Sequence, residues 1–380
     1  MALPVQRKMI MTNKQLLNHL FETQQIDLKL SPFFDKSPDP LSKDFDFGRI
    51  EGMMLGLAIG DALGNTTEGM FPRDRRRGYG EIRDYLPKRY VNLPLGFPSD
   101  DTQLAFWTLE QMISDEGFNP GNVASRYCRG RIFGIGSTVR TFIANFKSGL
   151  PWYQCGPKSS GNGALMRIAP MLIPHLRTGT HDLWADTALS AMITHNDSGS
   201  ISSCLSFVHM LWNLLQMDGS PRPEWWLESF IETSRGLESD ESYQPREGSF
   251  ADYRGPIWKF LLEKVSAVRR DGLSVMEACS KWYSGAFLLE TVPSVVYILM
   301  CHGHNFEEAV IRAVNDTKDN DTIAAIVGAA VGAMHGKKAI PTRWLSGLSG
   351  RTGERDDGRI FSLIEKAKKL WWDEKRSKTR

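Results

Sequence analysis

The chain contains few cysteines, and their arrangement argues against a disulfide framework or a zinc site. Five cysteines are scattered over 380 residues, and no two of them form a C-x-x-C pair. Small secreted domains and zinc sites both need closely spaced cysteines, so this pattern favours a reducing compartment. Residues 1–30 also lack the continuous apolar run of a secretory signal. We therefore expect a cytoplasmic protein.

The sequence also has little that would attract a membrane or a nucleic acid. The apolar run at residues 323–334 is shorter than the roughly 20 residues that span a bilayer. The net charge is only +2, which gives no strong field for anionic partners. Two basic runs, at residues 73–77 and 366–380, have no interleaved aromatic residues, so we predict solvated surface or a frayed tail. We expect neither nucleic acid nor membrane as a partner.

Four common signatures of enzyme sites are missing. The chain has no G-x-x-x-x-G-K-[ST], G-x-G-x-x-G, H-E-x-x-H or G-x-S-x-G segment. These patterns build phosphate loops, dinucleotide sites, zinc proteases and serine hydrolases. Their absence weakens all four interpretations.

Helical periodicity dominates the sequence from about residue 48 onward. Apolar residues recur at intervals of three and four, and alternating strand patterns are scarce. The predicted helices cover residues 52–64, 104–112, 183 to about 195, 201–215, 257–268, 306–313 and 323–334. No fixed repeat is visible, which argues against a solenoid. We predict an all-α fold, a single compact multi-helix bundle over residues 48–380.

Residues 1–47 form a predicted N-terminal extension with a different character. A short amphipathic helix is expected over residues 14–24. Prolines then favour extended chain at residues 31–40, around the adjacent Phe33 and Phe34. These two rings must be buried somewhere. The extension is either an arm that packs on its own domain or an arm that binds a partner.

Two short acidic clusters stand ahead of predicted helices. They are Ser99-Asp100-Asp101-Thr102 and Asp319-Asn320-Asp321-Thr322. If the fold brought them together, carboxylates and hydroxyls would form the all-oxygen site that Mg²⁺ prefers. Helix capping explains them too, because Ser is a favoured N-cap and Asp suits a first helical turn. The residues alone leave both explanations open.

Other segments with polar or glycine-rich character are individually weak signals. Residues 60–68 place Asp61 and Glu68 around a glycine-bounded helix end. Glycine-rich turns at residues 133–138 and 160–167 have backbone N–H groups that could cradle a diphosphate, although ordinary loops look similar. His195, at a predicted helix end, could contact a ligand or simply cap or fill the core.

Taken in order, these segments resemble the ADP-ribosylglycohydrolase family over roughly residues 48–345. The resemblance rests on Gly56-x-Ala58-x-Gly60-Asp61-Ala62-Leu63-Gly64, Glu68, the two acidic clusters, Gly163-Ala164-x-Met166-Arg167 and Thr194-His195. It implies an all-α fold around a dinuclear Mg²⁺ or Mn²⁺ centre. It also implies hydrolytic release of ADP-ribose from modified protein side chains, often arginine.

The resemblance assigns roles to individual residues of this chain. The implied metal ligands are Ser99, Asp100, Asp101, Asp319, Asp321 and Thr322. The implied ADP-ribose cleft is lined by Glu68, Gly134, Gly136, Ser137, Gly161, Asn162, Gly163 and His195. Glu68, Asp100 or Asp101 would act as the general base. Ser99 and Asn320 stand where many members have Thr; Ser99 keeps the hydroxyl, and position 320 need not be a ligand.

The N-terminal extension is the departure from the family pattern. Some family members protect cells from ADP-ribosylating toxins. The resemblance therefore allows a second interpretation, in which residues 1–47 enter the substrate cleft of an ADP-ribosyltransferase toxin and the chain acts as an immunity protein. On this interpretation hydrolysis is secondary.

Overall fold

Helices account for the regular structure of this chain. A computed structural model describes residues 11–87 and 95–373, and within these ranges it contains seventeen α-helices and no β-strand, only isolated bridges. The α-helices are α1 Asn13–Glu22, α2 Gly48–Gly64, α3 Pro72–Tyr79, α4 Asp100–Asp115, α5 Pro120–Tyr127, α6 Ser137–Lys147, α7 Asp182–Met192, α8 Ser198–Gln216, α9 Pro223–Arg235, α10 Ile257–Phe260, α11 Ser266–Arg270, α12 Val275–Lys281, α13 Leu288–His302, α14 Phe306–Asp316, α15 Asn320–His335, α16 Thr342–Gly347 and α17 Arg359–Trp371. The all-α prediction is confirmed.

Helices α2 and α15 form the centre of the fold and touch through their backbones. Glycines recur at every fourth position of α2, and those at positions 52, 56, 60 and 64 face α15. A Cβ atom on Gly56 would lie 2.1 Å from the carbonyl oxygen of Gly328, and one on Gly60 would lie 2.0 Å from that of Ala324. No larger residue fits, so the glycines allow the two helices to approach closely. The end of α2 is thereby held against the start of α15.

Most predicted helices are present, with shifted ends. The helix expected to end near His195 stops at Met192. The pattern over residues 257–268 is one helical stretch, in which the π-turn Leu261–Val265 separates α10 from α11. Several helices were not predicted: α3, α5, α9, α12, α13, α16 and α17. Three of them, α3, α5 and α9, begin with proline, whose missing N–H costs nothing at the first helical position.

The prediction of solvated surface at residues 73–77 is wrong for Arg75. This residue lies in α3 and is 1% exposed. Its guanidinium donates hydrogen bonds to Thr67 Oγ1 at 3.0 Å, the Met70 carbonyl at 3.0 Å and the Thr317 carbonyl at 2.7 Å. Arg75 therefore joins the segment after α2 to the segment after α14. In the second basic run, Lys366 and Lys369 are exposed on α17, and residues 374–380 lie outside the described part.

The described part of the N-terminal extension packs on the rest of the chain. Helix α1 contacts α7, and its Leu17 and Leu20 are buried. The ring of Phe33 lies 4.8 Å from that of Trp184, and Phe34 is 6% exposed. The 3₁₀ turn Pro32–Asp35 replaces the extended chain expected there. The two phenylalanines thus support the packed-arm alternative. Residues 1–10 lie outside the described part.

Two other expectations can be compared with the structure. Across residues 11–87 and 95–373, no helix combines the length and apolar character needed to cross a membrane. All five cysteines are free thiols, as the absence of paired spacings predicts.

Candidate active site

The fold brings the two acidic clusters face to face. One oxygen from each carboxylate of Asp61, Asp101 and Asp321 lies within 4.8 Å of the others, and the same holds for Glu68, Asp319 and Asp321. Asp321 belongs to both groups. Residues more than 200 positions apart in sequence therefore share one acidic centre.

Asp61 holds the first cluster in place. Its buried carboxylate accepts hydrogen bonds from Ser99 N at 2.9 Å, Thr102 N at 3.0 Å and Thr102 Oγ1 at 2.6 Å. These contacts fix the start of α4 against the end of α2. We did not predict a site role for Asp61. The sequence offered one indication of such a role, which is that Asp61 lies inside the segment Gly60–Gly64.

Ser99 is an N-cap and lies against an acidic side chain at the same time. Its Oγ accepts from Asp101 N at 3.4 Å and donates to Asp101 Oδ2 at 3.0 Å. The capping explanation is therefore correct for Ser99. It does not extend to Asp319, whose side chain makes no cap hydrogen bond to α15.

One oxygen of this centre is buried without a partner. Asp101 Oδ1 has no hydrogen-bond partner among the described residues, and Asp101 is 2% exposed. An unpaired buried carboxylate oxygen is costly, so buried charges are usually paired or bind metals. The neighbouring donors are carboxylates and hydroxyls, which suit a hard divalent cation. The residues present therefore fit a divalent metal.

Burial and mutual repulsion alter the acidity of these groups. Burial, followed by the nearby charge of Asp61, raises the pKa of Asp100 to about 7. Burial raises the pKa of Asp319 to about 6, with a further contribution from Glu68. The pKa values of Asp101 and Asp321 also lie well above the usual range, because both are buried beside other carboxylates. A bound cation would favour the charged form of all four.

Glu68 approaches the centre from a more exposed loop. It follows the 3₁₀ turn Asn65–Thr67 at the end of α2. The next residue, Gly69, has a φ of +75° and donates its N–H to the Lys318 carbonyl at 3.2 Å. This contact joins the Glu68 loop to the Asp319 loop. Burial and the charge of Asp61 raise the pKa of Glu68.

A cleft of about 160 Å³ opens over the acidic centre. Its walls are formed by Glu68, Asp100, Asp101, Gly134, Gly136, Ser137, Thr138, Val139, Asn162, Gly163, Met166, His195, Ala286, Asp319, Asp321 and Thr322. Twelve of these are predicted site residues. Two predicted residues are absent from the walls: Ser99 lies behind Asp101, and Gly161 lies beside His195. Thr138, Val139, Met166 and Ala286 were not predicted.

The start of α6 forms one wall of the cleft. Gly136 occupies the N-cap position without a side-chain cap hydrogen bond, and the next residues line the cleft. Gln103 accepts the N–H of Phe133 through Oε1 at 2.8 Å, which ties this turn to α4. A helix N-terminus with backbone N–H groups is suited to a diphosphate.

Asn162 connects the second glycine turn to the acidic centre. Its Nδ2 donates to Asp319 Oδ2 at 2.6 Å and to Thr291 Oγ1 at 2.9 Å. Its backbone N–H donates to the Ala286 carbonyl at 3.0 Å. These bonds fix both Asp319 and the turn that faces His195.

A strained turn supports the Asp319 loop from outside. Tyr283 and Ser284 have φ values of +73° and +46°, which are uncommon for residues other than glycine. Ser284 accepts from Asp319 N through its carbonyl at 2.9 Å and from Lys318 N through Oγ at 3.1 Å. Such strain persists only where the surrounding structure enforces it, often at functional sites. Sequence patterns gave no signal for this turn.

Fold and site together define an all-α protein with a cleft over a centre of carboxylates and hydroxyls. The sequence model of ADP-ribosylglycohydrolase matches residues 42–375. The chain therefore belongs to the ADP-ribosylglycohydrolase family, which acts on ADP-ribose linkages and generally uses divalent metal ions.

Individual relatives agree with this assignment. An uncharacterised protein of Archaeoglobus fulgidus is 32% identical over 312 residues, covering 80% of this chain and 92% of that one. The ADP-ribosylarginine hydrolase Tri1 of Serratia proteamaculans is 27% identical over 323 residues, covering 81% of this chain and 77% of that protein. A solved structure described as an ADP-ribosylglycohydrolase-related protein complex has the same fold, with a TM-score of 0.58, 24% identity, and coverage of 85% of this chain and 97% of that chain.

Proposed function

We propose that this chain is a Mg²⁺-dependent hydrolase that removes ADP-ribose from modified arginine side chains of proteins. The observation that carries the proposal is the buried, unpartnered oxygen of Asp101 among converging carboxylates. The arginine linkage is supported by similarity to a relative named ADP-ribosylarginine hydrolase.

The proposed cation ligands are the side chains of Ser99, Asp100, Asp101, Asp319, Asp321 and Thr322. Two divalent cations held there would neutralise the carboxylates, position the ribose hydroxyls and acidify a water molecule. Mn²⁺ could serve in place of Mg²⁺, since both favour oxygen ligands.

One water molecule supplies the oxygen for ribose C1 and the proton for the leaving nitrogen. Its oxygen forms a bond to ribose C1 as the bond from C1 to the guanidinium nitrogen breaks. One proton of the water passes to a carboxylate and from that carboxylate to the leaving nitrogen, which gives arginine and ADP-ribose. Asp101 is engaged by Ser99, and Asp100 is a proposed ligand. We therefore assign the general base to Glu68, whose pKa is raised by burial and by the charge of Asp61.

The remaining cleft residues are proposed to bind ADP-ribose. The start of α6, with Gly134, Gly136 and Ser137, is suited to the diphosphate. Asn162, Gly163 and His195 form another part of the wall, and Gly161 supports it from beside His195. We expect the diphosphate wall to bind the central diphosphate of ADP-ribose and the acidic centre to bind its terminal ribose.

We further propose that the substrate is made by an ADP-ribosyltransferase, including a toxin, and that hydrolysis gives immunity by reversing that modification. The alternative, in which residues 1–47 occlude a toxin, finds no support in the described arm, because Phe34 is buried in this chain. Truncating the arm tests that alternative: weakened toxin binding with hydrolysis retained would favour it.

The decisive assay compares two linkages. Proteins carrying ADP-ribose on arginine or on serine are incubated with the enzyme, with Mg²⁺ or with a chelator, and free ADP-ribose is measured. We expect Mg²⁺-dependent release from the arginine-linked protein. Release only from the serine-linked protein would contradict the proposed specificity, and release from neither would contradict the function.

A further inference from the structure

A chain of three buried side chains leads from the interior to the cleft. Arg167 Nη2 donates to Thr194 Oγ1 at 2.9 Å, and Thr194 Oγ1 lies 2.9 Å from His195 Nδ1. Arg167 and Thr194 are both fully buried. His195 is 2% exposed, and it lines the cleft.

The direction of these hydrogen bonds follows from chemistry. A guanidinium can only donate, so Thr194 Oγ1 must be its acceptor. The threonine hydroxyl then has one proton left to donate. Among the described residues, the structure offers that proton one acceptor, His195 Nδ1. A nitrogen that accepts a hydrogen bond carries no proton, so the proton of a neutral imidazole is on Nε2.

The protonated edge of the ring faces the second glycine turn. A Cβ atom on Gly163 would lie 2.9 Å from His195 Cε1 and 3.2 Å from Nε2, and one on Gly161 would lie 3.5 Å from Nε2. Glycine at these positions leaves space beside the ring. Within residues 11–87 and 95–373, the hydrogen bond described for the His195 ring is the one at Nδ1. This donor is therefore available to a ligand in the cleft.

We propose that Arg167 and Thr194 are positioning residues that hold His195 in its neutral, Nε2-protonated form, so that the imidazole presents a fixed hydrogen-bond donor to an oxygen of ADP-ribose. The identity of that ligand rests on the proposed function, whereas the tautomer is a property of the chain itself. Burial and the charge of Arg167 lower the pKa of His195 to about 3, which agrees with a neutral ring.

The surroundings of His195 explain why its ring is neutral. A charged imidazolium would need a counter-ion in the interior, and the adjacent guanidinium opposes that charge. A neutral donor costs less to bury and does not change with pH. The role requires a threonine or serine hydroxyl, because only a group that both accepts and donates can connect arginine to Nδ1.

The test measures tautomer and affinity separately. Ring nitrogens of ¹⁵N-histidine-labelled full-length protein are observed by NMR, and His195 is assigned from its loss in His195→Gln. We expect Nε2 to be protonated and Nδ1 unprotonated from about pH 5 to about pH 8. In Thr194→Val, the Nδ1 signal should shift, and the affinity for ADP-ribose alone should fall about five- to tenfold by calorimetry. Thr194→Ser should restore both.

A matched control separates positioning from packing. Thr187→Val removes an equally buried hydroxyl that donates to the Leu183 carbonyl, so it should leave the His195 signals and the affinity unchanged. A proton on Nδ1 of the wild-type ring, a doubly protonated ring, or an unaltered tautomer in Thr194→Val would overturn the proposal. If Thr194→Val fails to fold, the wild-type spectrum and Thr194→Ser decide. Loss of hydrolysis with the wild-type tautomer intact would count against the proposed function only.

Discussion

Gly64 lies directly against the backbone of Asp321. A Cβ atom at position 64 would be 2.4 Å from the Cα of Asp321, a distance that real atoms do not adopt. The last residue of α2 and the second residue of α15 are therefore in contact. This contact places Asp61 and Glu68, which flank Gly64, beside Asp319 and Asp321. The acidic centre depends on a glycine that carries no chemistry of its own.

Replacing Gly64 should separate the two halves of the centre. Gly64→Ala forces α2 and α15 apart, and overpacking of this kind costs about 1–3 kcal/mol. We expect a lower free energy of unfolding and a large loss of the stabilisation produced by Mg²⁺. Thermal unfolding with and without Mg²⁺ measures both. The control is Gly78→Ala, where a Cβ atom meets nothing within 4 Å and stability should not fall.

Replacing Asp101 with a neutral residue should remove the dependence of the protein's stability on Mg²⁺. In metal-free protein its carboxylate is buried beside like charges, so Asp101→Asn is expected to be neutral or stabilising without Mg²⁺. The variant should lose both hydrolysis and the rise in unfolding temperature that Mg²⁺ gives the wild type. Asp74→Asn, on the exposed face of α3, serves as the control. A variant that still responds fully to Mg²⁺ would show that Asp101 is not a ligand.

Replacing Arg75 should destabilise the protein far more than replacing the adjacent Arg76. Arg75 donates to several buried oxygens, and its removal leaves them unsatisfied, which should cost about 3 kcal/mol. Arg76 is exposed, so Arg76→Ala should change the free energy of unfolding by less than about 0.5 kcal/mol. Denaturant unfolding of both alanine variants provides the comparison. Equal effects would contradict the structural role given to Arg75.

A second buried acid, away from the cleft, should make stability depend on pH. Glu238 accepts from Ile257 N at 2.6 Å and Trp258 N at 3.2 Å, and burial raises its pKa from 4.5 to about 7. Below pH 4.5 both folded and unfolded states hold the proton. Between pH 4.5 and about pH 7, Glu238 ionises only in the unfolded state. The wild type therefore loses stability as the pH rises through this range, and above about pH 7 the loss is constant.

Glu238→Gln cannot ionise and should escape this loss. The variant gives up one of the two backbone contacts at every pH, because an amide has a single acceptor oxygen. Its stability relative to wild type should nevertheless rise between about pH 4 and about pH 8, by at most about 3 kcal/mol. Urea unfolding across this range tests the sign. A stability difference between Glu238→Gln and the wild type that is the same at all pH values would contradict this prediction.

The sequence allowed the acidic residues to be predicted better than the residues that support them. Asp100, Asp101, Asp319 and Asp321 occur in compact clusters with a recognisable order, so the resemblance could assign them. Asp61 and Ser284 act through hydrogen bonds to residues far away in sequence, and no local pattern reveals such partners. The proposed general base illustrates the same limit, because proposing Glu68 required knowing which carboxylates are already engaged.

Some elements of the fold were likewise easier to predict from the sequence than others. Long helices with clear periodicity, such as α8 and α15, were predicted with modest errors at their ends. Helix α13 was missed although it is largely buried. Its apolar residues lie on all sides of the helix, so no apolar stripe stands out, and it contains Pro293. The buried Arg75 was missed because a run of arginines is normally solvated, and only tertiary contacts identify the exception.

The most direct test of the central claim is the release of ADP-ribose from an arginine-modified protein by wild type and by Asp321→Ala. Asp321 belongs to both groups of carboxylates, so its removal should eliminate any metal site that the clusters form together. We expect rapid release by the wild type with Mg²⁺ and none with a chelator. With Mg²⁺, release by Asp321→Ala should be at least about a hundredfold slower than release by the wild type. Full activity in Asp321→Ala, or activity of the wild type that is indifferent to chelation, would contradict the account.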